Sequence, residues 1–136
     1  MSQHPISVLI LDDDPQRHAA FVQNNPDCVI TSVYTCQDAV AAVYDNYFDI
    51  ICFDHDLGET PGGEYETSVP FARVVRQLID DEAILDTTVM LVHTSNPVGA
   101  QDIMSYFART MNPTFKFPWA WTKPGLFHMM LTYEQE

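Results

Sequence analysis

Short apolar runs that stop abruptly at polar clusters recur along this chain. Ile6 to Leu11 is nearly all apolar and ends at Asp12-Asp13-Asp14-Pro15, a pattern that suits a strand covered on both faces. Pro15 fits a first helical turn with Asp14 as its N-cap, which predicts a helix from Pro15 to Asn24. Val29 to Tyr34 is rich in β-formers. Thr35 comes next and leads into a pattern in which Val40, Val43, Tyr44 and Tyr47 recur at helical spacing. Ile50 to Phe53 is the next apolar run, and it ends at Asp54-His55-Asp56. The stretch LGETPGGEYETSVP has no apolar period and reads as a mobile loop.

Ser68 and Pro70 open a helix whose stripe is Phe71, Val74, Val75, Leu78 and Ile79. Thr88 to Val92 is a further strand, closed by His93-Thr94-Ser95-Asn96-Pro97. Ile103, Met104, Phe107, Ala108 and Met111 mark the helix after it. Phe115 to Trp121 reads as a last strand despite Pro118, and Leu126 to Leu131 gives at most two helical turns. Strand and helix thus alternate about five times, which predicts a five-stranded parallel sheet with helices on both faces and right-handed crossovers. In such sheets ligands bind beyond the carboxyl ends of the strands, and the polar clusters fall there. One domain spanning residues 1–136 is expected from the length.

Composition narrows the function classes. The chain is 46% apolar and 18% charged, so it is globular rather than disordered. Nineteen acidic against six basic residues give a net charge of −13, which repels a phosphate polymer and argues against general nucleic-acid binding. Cys28, Cys36 and Cys52 have no CxxC spacing, which disfavours a disulfide framework or a zinc site. The first residues lack the basic flank and long apolar core of a signal or membrane segment. A cytoplasmic protein with no membrane association is expected.

The strand ends carry the chemistry. Asp54 and Asp56 would share a face if the extended backbone continued through both, and two such charges call for a cation, a shared proton or hydrogen bonds. Carboxylates from two strand ends suit a hard cation such as Mg2+. Thr94 and Lys123 would then balance the oxygens of a phosphoryl group. The NPVG run after Ser95 would add backbone N–H groups as an anion seat. Asp14 is better explained as a cap than as a ligand. His4, His18 and His128 have no polar company, and Trp119 and Trp121 are core aromatics or, less simply, a platform for a base.

The motifs VLILDDDP, FDHDLG, VHTSN and TKPG resemble, in order, the signature positions of response-regulator receiver domains. The resemblance implies a flavodoxin-like three-layer α/β/α sandwich. It also implies that Asp12 and Asp13 bind Mg2+, that Asp54 is the phosphate-accepting position, that Thr94 is the switch hydroxyl and that Lys123 precedes a proline often joined by a cis bond. Asp56, His55 and His93 are additions to that pattern, Gly58 replaces a usual proline, and DHDLG with HTSNPVG resembles a divergent branch expected to process cyclic phosphates. Haloacid-dehalogenase phosphatases also carry a DxD, but at their first strand.

The expected function is therefore a Mg2+-dependent phosphoesterase acting on a cyclic or nucleotide-linked phosphate. Its metal ligands are Asp12, Asp13, Asp54 and Asp56. Thr94, Ser95, Asn96 and Lys123 bind the phosphate, and Asp54, His55, His93 and Lys123 carry the catalysis. Asp54 as nucleophile, phosphoacceptor or metal ligand remains open at this level, as does the choice of His55 or His93 for acid and base. The alternative is a stand-alone receiver or pseudo-receiver whose output is a protein partner.

Overall fold

The computed structural model describes residues 4–135; residues 1–3 and 136 lie outside it. Five parallel strands, β1 (Ser7–Leu11), β2 (Val29–Val33), β3 (Ile50–Phe53), β6 (Val89–Val92) and β7 (Thr114–Lys116), form one sheet in the order β2-β1-β3-β6-β7. Between them run α1 (Pro15–Asn24), α2 (Cys36–Asp45), α3 (Val69–Asp80) and α4 (Pro97–Ser105), with α5 (Leu126–Gln135) last. This is the flavodoxin-like three-layer α/β/α sandwich expected from the alternation of elements. No described helix is long and apolar enough to cross a membrane.

The period of two along each central strand divides the core. Leu9, Leu11, Ile51, Phe53, Met90 and Val92 pack with Ala39 and Val43 of α2, Phe71 and Val75 of α3, and Ile103 of α4. Val8, Ile10, Ile50, Cys52, Val89 and Leu91 pack on the opposite face with Phe21 of α1 and Phe127 of α5. These strands are buried on both faces, which is why they read as unbroken apolar runs. The same parity sets the direction of the residue after each strand. Asp12, Asp54 and His93 each come directly after a residue facing α2–α4, so each turns toward α1 and α5.

Asp14 caps α1 as predicted, its Oδ1 accepting the Gln16 N–H at 2.8 Å. Several expectations are corrected. The stretch after Leu57 is not all loop: β4 (Asp56–Glu59) and β5 (Tyr65–Thr67) pair antiparallel around a turn with Gly63 at φ +83°. These strands are short and polar, so no apolar alternation announced them. The last sheet strand covers only Thr114–Lys116, because beyond Phe117 and Pro118 the chain winds into a single 3-10 turn, Ala120–Thr122. The helix α4 ends at Ser105, short of the predicted Met111, and α2 ends before Tyr47. The final helix is longer than two turns, and the Lys123–Pro124 bond is trans.

Candidate functional site

Backbone hydrogen bonds continue each strand ladder by one residue into the site. Asp12 N–H donates to the Val33 carbonyl at 3.2 Å, Asp54 N–H to Leu11 at 3.0 Å and His93 N–H to Phe53 at 3.0 Å. The three side chains therefore emerge side by side from adjacent strands. Asp12 is fully buried, and both its oxygens are fully engaged. Oδ1 accepts from the Asp14 N–H (2.9 Å) and Arg17 Nη2 (2.9 Å); Oδ2 accepts from Arg17 Nε (2.8 Å) and His93 Nε2 (2.9 Å). Burial alone would oppose ionisation of Asp12, but the hydrogen bonds from His93 and Arg17 outweigh it and hold the carboxyl well below the usual range.

Arg17 is the residue the sequence reading missed. From the first turn of α1 its fork grips Asp12, and Nη2 also reaches Asp54 Oδ2 at 3.2 Å and Asp13 Oδ1 at 3.5 Å. Its guanidinium carbon lies 5.3 Å from the centre of the Trp121 ring. The signal was available: one of only six basic residues, five positions after Asp12, in a helix starting at Pro15.

Asp54 is also buried, and burial together with the neighbouring Asp12 charge pushes its carboxyl up to about 7, against the pull of Arg17. Asp13 is exposed. His93 is buried, packs edge-on against Phe21, and its pKa is lowered by burial. Because ionised Asp12 can only accept, His93 carries its proton on Nε2, and Nδ1 has no partner among the described residues. His18 is buried too, with Nε2 2.8 Å from the Asp12 carbonyl and its ring on Tyr34, so it supports the backbone of Asp12 rather than lying on the surface.

A second group lies on the α4 side, begun by His55, which parity turns away from Asp54. His55 Nδ1 is 2.9 Å from Asp56 Oδ1, and Asn96 Nδ2 donates to Asp56 Oδ2 at 3.2 Å. Asp56 is thus drawn to His55 and Asn96 and is not one of the residues converging with Asp12 and Asp54. The extended run breaks at His55 before β4 begins, so the expected shared face of Asp54 and Asp56 does not form. These contacts lower the Asp56 pKa although partial burial opposes them.

The His55 ring lies against Gly99, where a Cβ would fall 2.5 Å from His55 Cγ. His55, Asn96, Val98 and Gly99 line an open cleft of about 660 Å³. Asn96 also caps α4 through Gly99 N–H (3.1 Å), and Pro97 has no N–H, so the predicted anion seat is smaller than the sequence suggested. Thr94 is buried, with Oγ1 accepting from Asn96 N–H at 3.2 Å, whereas Ser95 is exposed. Lys123 is exposed and has no ion-pair partner among the described residues; Arg17 holds the carboxylates instead. Trp119 is exposed, and Trp121 lies beneath Arg17.

Oxygen donors from Asp12, Asp13 and Asp54 suit a hard cation, and Asp12, Asp54 and His93 bring potential ligand atoms within 4.8 Å of one another. The donor chemistry fits Mg2+, and Arg17 competes with it for the same oxygens.

A parallel sheet in this order, with acidic residues ending β1 and β3 and a hydroxyl ending β6, defines a response-regulator receiver domain. More narrowly, the model of the cyclic-phosphate processing receiver domain matches residues 7–109, most of the chain, and the chain belongs to that family. Among solved structures it is similar to the response regulator TrrA of Thermotoga maritima, in complex with Mg2+ and BeF, at 14% identity and TM-score 0.60, covering 96% of this chain and 97% of that one. It is also similar to the chemotaxis protein CheY4 of Vibrio cholerae (18%, TM-score 0.58, 97% and 98% covered) and to a receiver protein of Pseudomonas putida (14%, TM-score 0.61, 99% and 100% covered). Likeness at these identities shows the shared fold. No curated protein matches the chain.

Proposed function

We propose that the protein is a phosphoesterase that opens a cyclic phosphodiester, of the cyclic-nucleotide or 2′,3′-cyclic kind, at the carboxyl ends of β1, β3 and β6. The observation that carries this reading is the His55–Asp56–Asn96 chain beside Asp54 and an open cleft. A receiver that only accepts and loses a phosphoryl group does not need a carboxylate-oriented imidazole next to its acceptor. The family's cyclic-phosphate description agrees with the reading.

In hydrolysis, water adds to phosphorus, one ring P–O bond breaks, and the freed ribose oxygen takes a proton. The product is a phosphomonoester with a free hydroxyl. Asp54, buried at the end of β3, takes the proton from the attacking water. Asp56 accepts from His55 Nδ1–H and orients the ring at the cleft, and His55 in its imidazolium form gives its Nε2 proton to the leaving oxygen, ending as the neutral Nδ1–H imidazole. Asn96 holds Asp56 in place. His93, buried behind Asp12, acts as a positioning residue and does not touch substrate. Thr94, Ser95 and Lys123 complete the phosphate's surroundings. Mg2+ held by Asp13 and Asp54, with Asp12 beside them, would supply charge stabilisation for the phosphoryl oxygens. The reading is of a cytoplasmic protein acting on a small phosphorylated substrate.

The test is release of phosphomonoester from a panel of cyclic nucleotides and 2′,3′-cyclic phosphates with Mg2+, comparing wild type with Asp54→Ala and His55→Ala. Turnover that both substitutions abolish supports the proposal, and no turnover of any substrate by wild type overturns it. A second reading, a receiver that switches a protein partner, is favoured by Asp54 and Thr94 ending β3 and β6. Its test is an NMR spectrum altered by Mg2+ with beryllofluoride.

A further inference from the structure

A carboxylate has about four lone-pair positions. Asp12 uses four: Asp14 N–H and Arg17 Nη2 at Oδ1, Arg17 Nε and His93 Nε2 at Oδ2. Asp12 can ligate a metal only by losing one of these partners. The backbone N–H of Asp14 is fixed by the start of α1, and the His93 ring is buried edge-on against Phe21. Arg17 is different. Its side chain is 28% exposed, it emerges from the first turn of α1, and it has an open route to solvent. Its Nη2 also contacts Asp54 Oδ2 and Asp13 Oδ1, so Arg17 touches every carboxylate predicted as a metal ligand except Asp56. A divalent ion among the same oxygens would meet the guanidinium at contact distance, a like-charge repulsion in a partly buried setting.

We infer that Arg17 is a built-in occupant of the divalent-cation seat, so that its guanidinium and a metal ion hold Asp12 and Asp54 in turn and not together. This rests on the reading of Asp12, Asp13 and Asp54 as that seat, and it is independent of whether the protein turns over any substrate. The consequence is a seat of low intrinsic cation affinity. An ion enters it only by displacing Arg17 from three charge-assisted hydrogen bonds. The contact between Arg17 and Trp121 supplies a reporter, since release of the guanidinium changes the surroundings of that indole.

The test uses the full chain and Mn2+ as probe, with binding followed by paramagnetic resonance and calorimetry, and folding checked by circular dichroism. Arg17→Gln is expected to bind Mn2+ about tenfold or more tightly than wild type. Arg17→Lys, which keeps the charge without the fork, is expected to bind severalfold more tightly. It decides the matter alone if Arg17→Gln does not fold. In a Trp119→Phe chain, where Trp121 is the single indole, Mg2+ is expected to change the emission, and adding Arg17→Gln is expected to remove that response. Equal or weaker Mn2+ binding by the folded variants overturns the inference while leaving the cation seat standing, as does Mn2+ binding to wild type without any response at Trp121. Failure of wild type and variants alike to bind Mn2+ overturns both the inference and the cation seat.

Discussion

Asp54→Asn should stabilise the protein at neutral pH while destroying its chemistry. Asp54 is buried, and its carboxyl moves from 3.8 to about 7 because burial and the Asp12 charge oppose ionisation more than Arg17 favours it. Three pKa units correspond to about 4 kcal/mol. Asparagine keeps a carbonyl acceptor for Arg17 Nη2, the pull of Arg17 is already contained in the value near 7, and local relaxation and solvent screening reduce the expected gain to about 2 kcal/mol, or roughly 7 °C in Tm for a chain of this length. The sign fixes the pH window. A carboxyl whose folded pKa is raised favours the folded state at low pH, and that benefit is lost between the unfolded value near 4 and the folded value near 7. The gap between Asp54→Asn and wild type should therefore be small at pH 4, open through pH 7 and stay level above it. Thermal and urea unfolding in EDTA between pH 4 and 9 measures this. A destabilised variant at pH 8, or a gap that does not change with pH, would refute the electrostatic reasoning.

Other outcomes rest on single contacts. Gly99→Ala places a Cβ 2.5 Å from His55 Cγ and 2.7 Å from Nδ1, so the imidazole must leave Asp56. Turnover should fall about 100-fold with a stability change of no more than about 2 kcal/mol, read from kinetics and denaturation of one preparation. Asn112→Ala removes the donors to the Leu85 and Thr88 carbonyls, which secure the entry to β6, and should lower stability by about 2–3 kcal/mol in urea unfolding. Equal stability of that variant and wild type would show that water replaces the amide there.

The sheet was legible because β1, β3 and β6 are covered on both faces and read as apolar runs, and the polar residue ending each run marked the site. The features the pattern hid were set by geometry that no period records. The hairpin of Asp56–Glu59 and Tyr65–Thr67 gives little apolar signal, although Gly62-Gly63 was a turn cue. Pro118 weighed too little against the aromatics around it, which wind past Trp119 into a 3-10 turn under Arg17. Asp12, Asp54, His55, Asp56, His93 and Thr94 all lie at the strand ends as expected, but they form two groups: strand parity turns His55 away from Asp54, and the break in the extended backbone at His55 keeps Asp56 from following Asp54. Asp56 meets His55 and Asn96 on one side, and Arg17 takes Asp12, Asp13 and Asp54 on the other. Lys123 stands out in the sequence as a rare cation next to a proline, whereas the amphipathic pattern of α1 gives the equally rare Arg17 a sufficient place as a solvated helix residue.

In the proposed phosphoesterase, Asp54 and His55 open a cyclic phosphate together. The most direct measurement is a 31P NMR time course of a 2′,3′-cyclic nucleotide with wild type and Mg2+, run beside Asp54→Ala and His55→Ala. The expected result is conversion of the cyclic signal to a single phosphomonoester by wild type and a slowing of at least about 100-fold in each variant. Conversion that persists unchanged in either variant would contradict it.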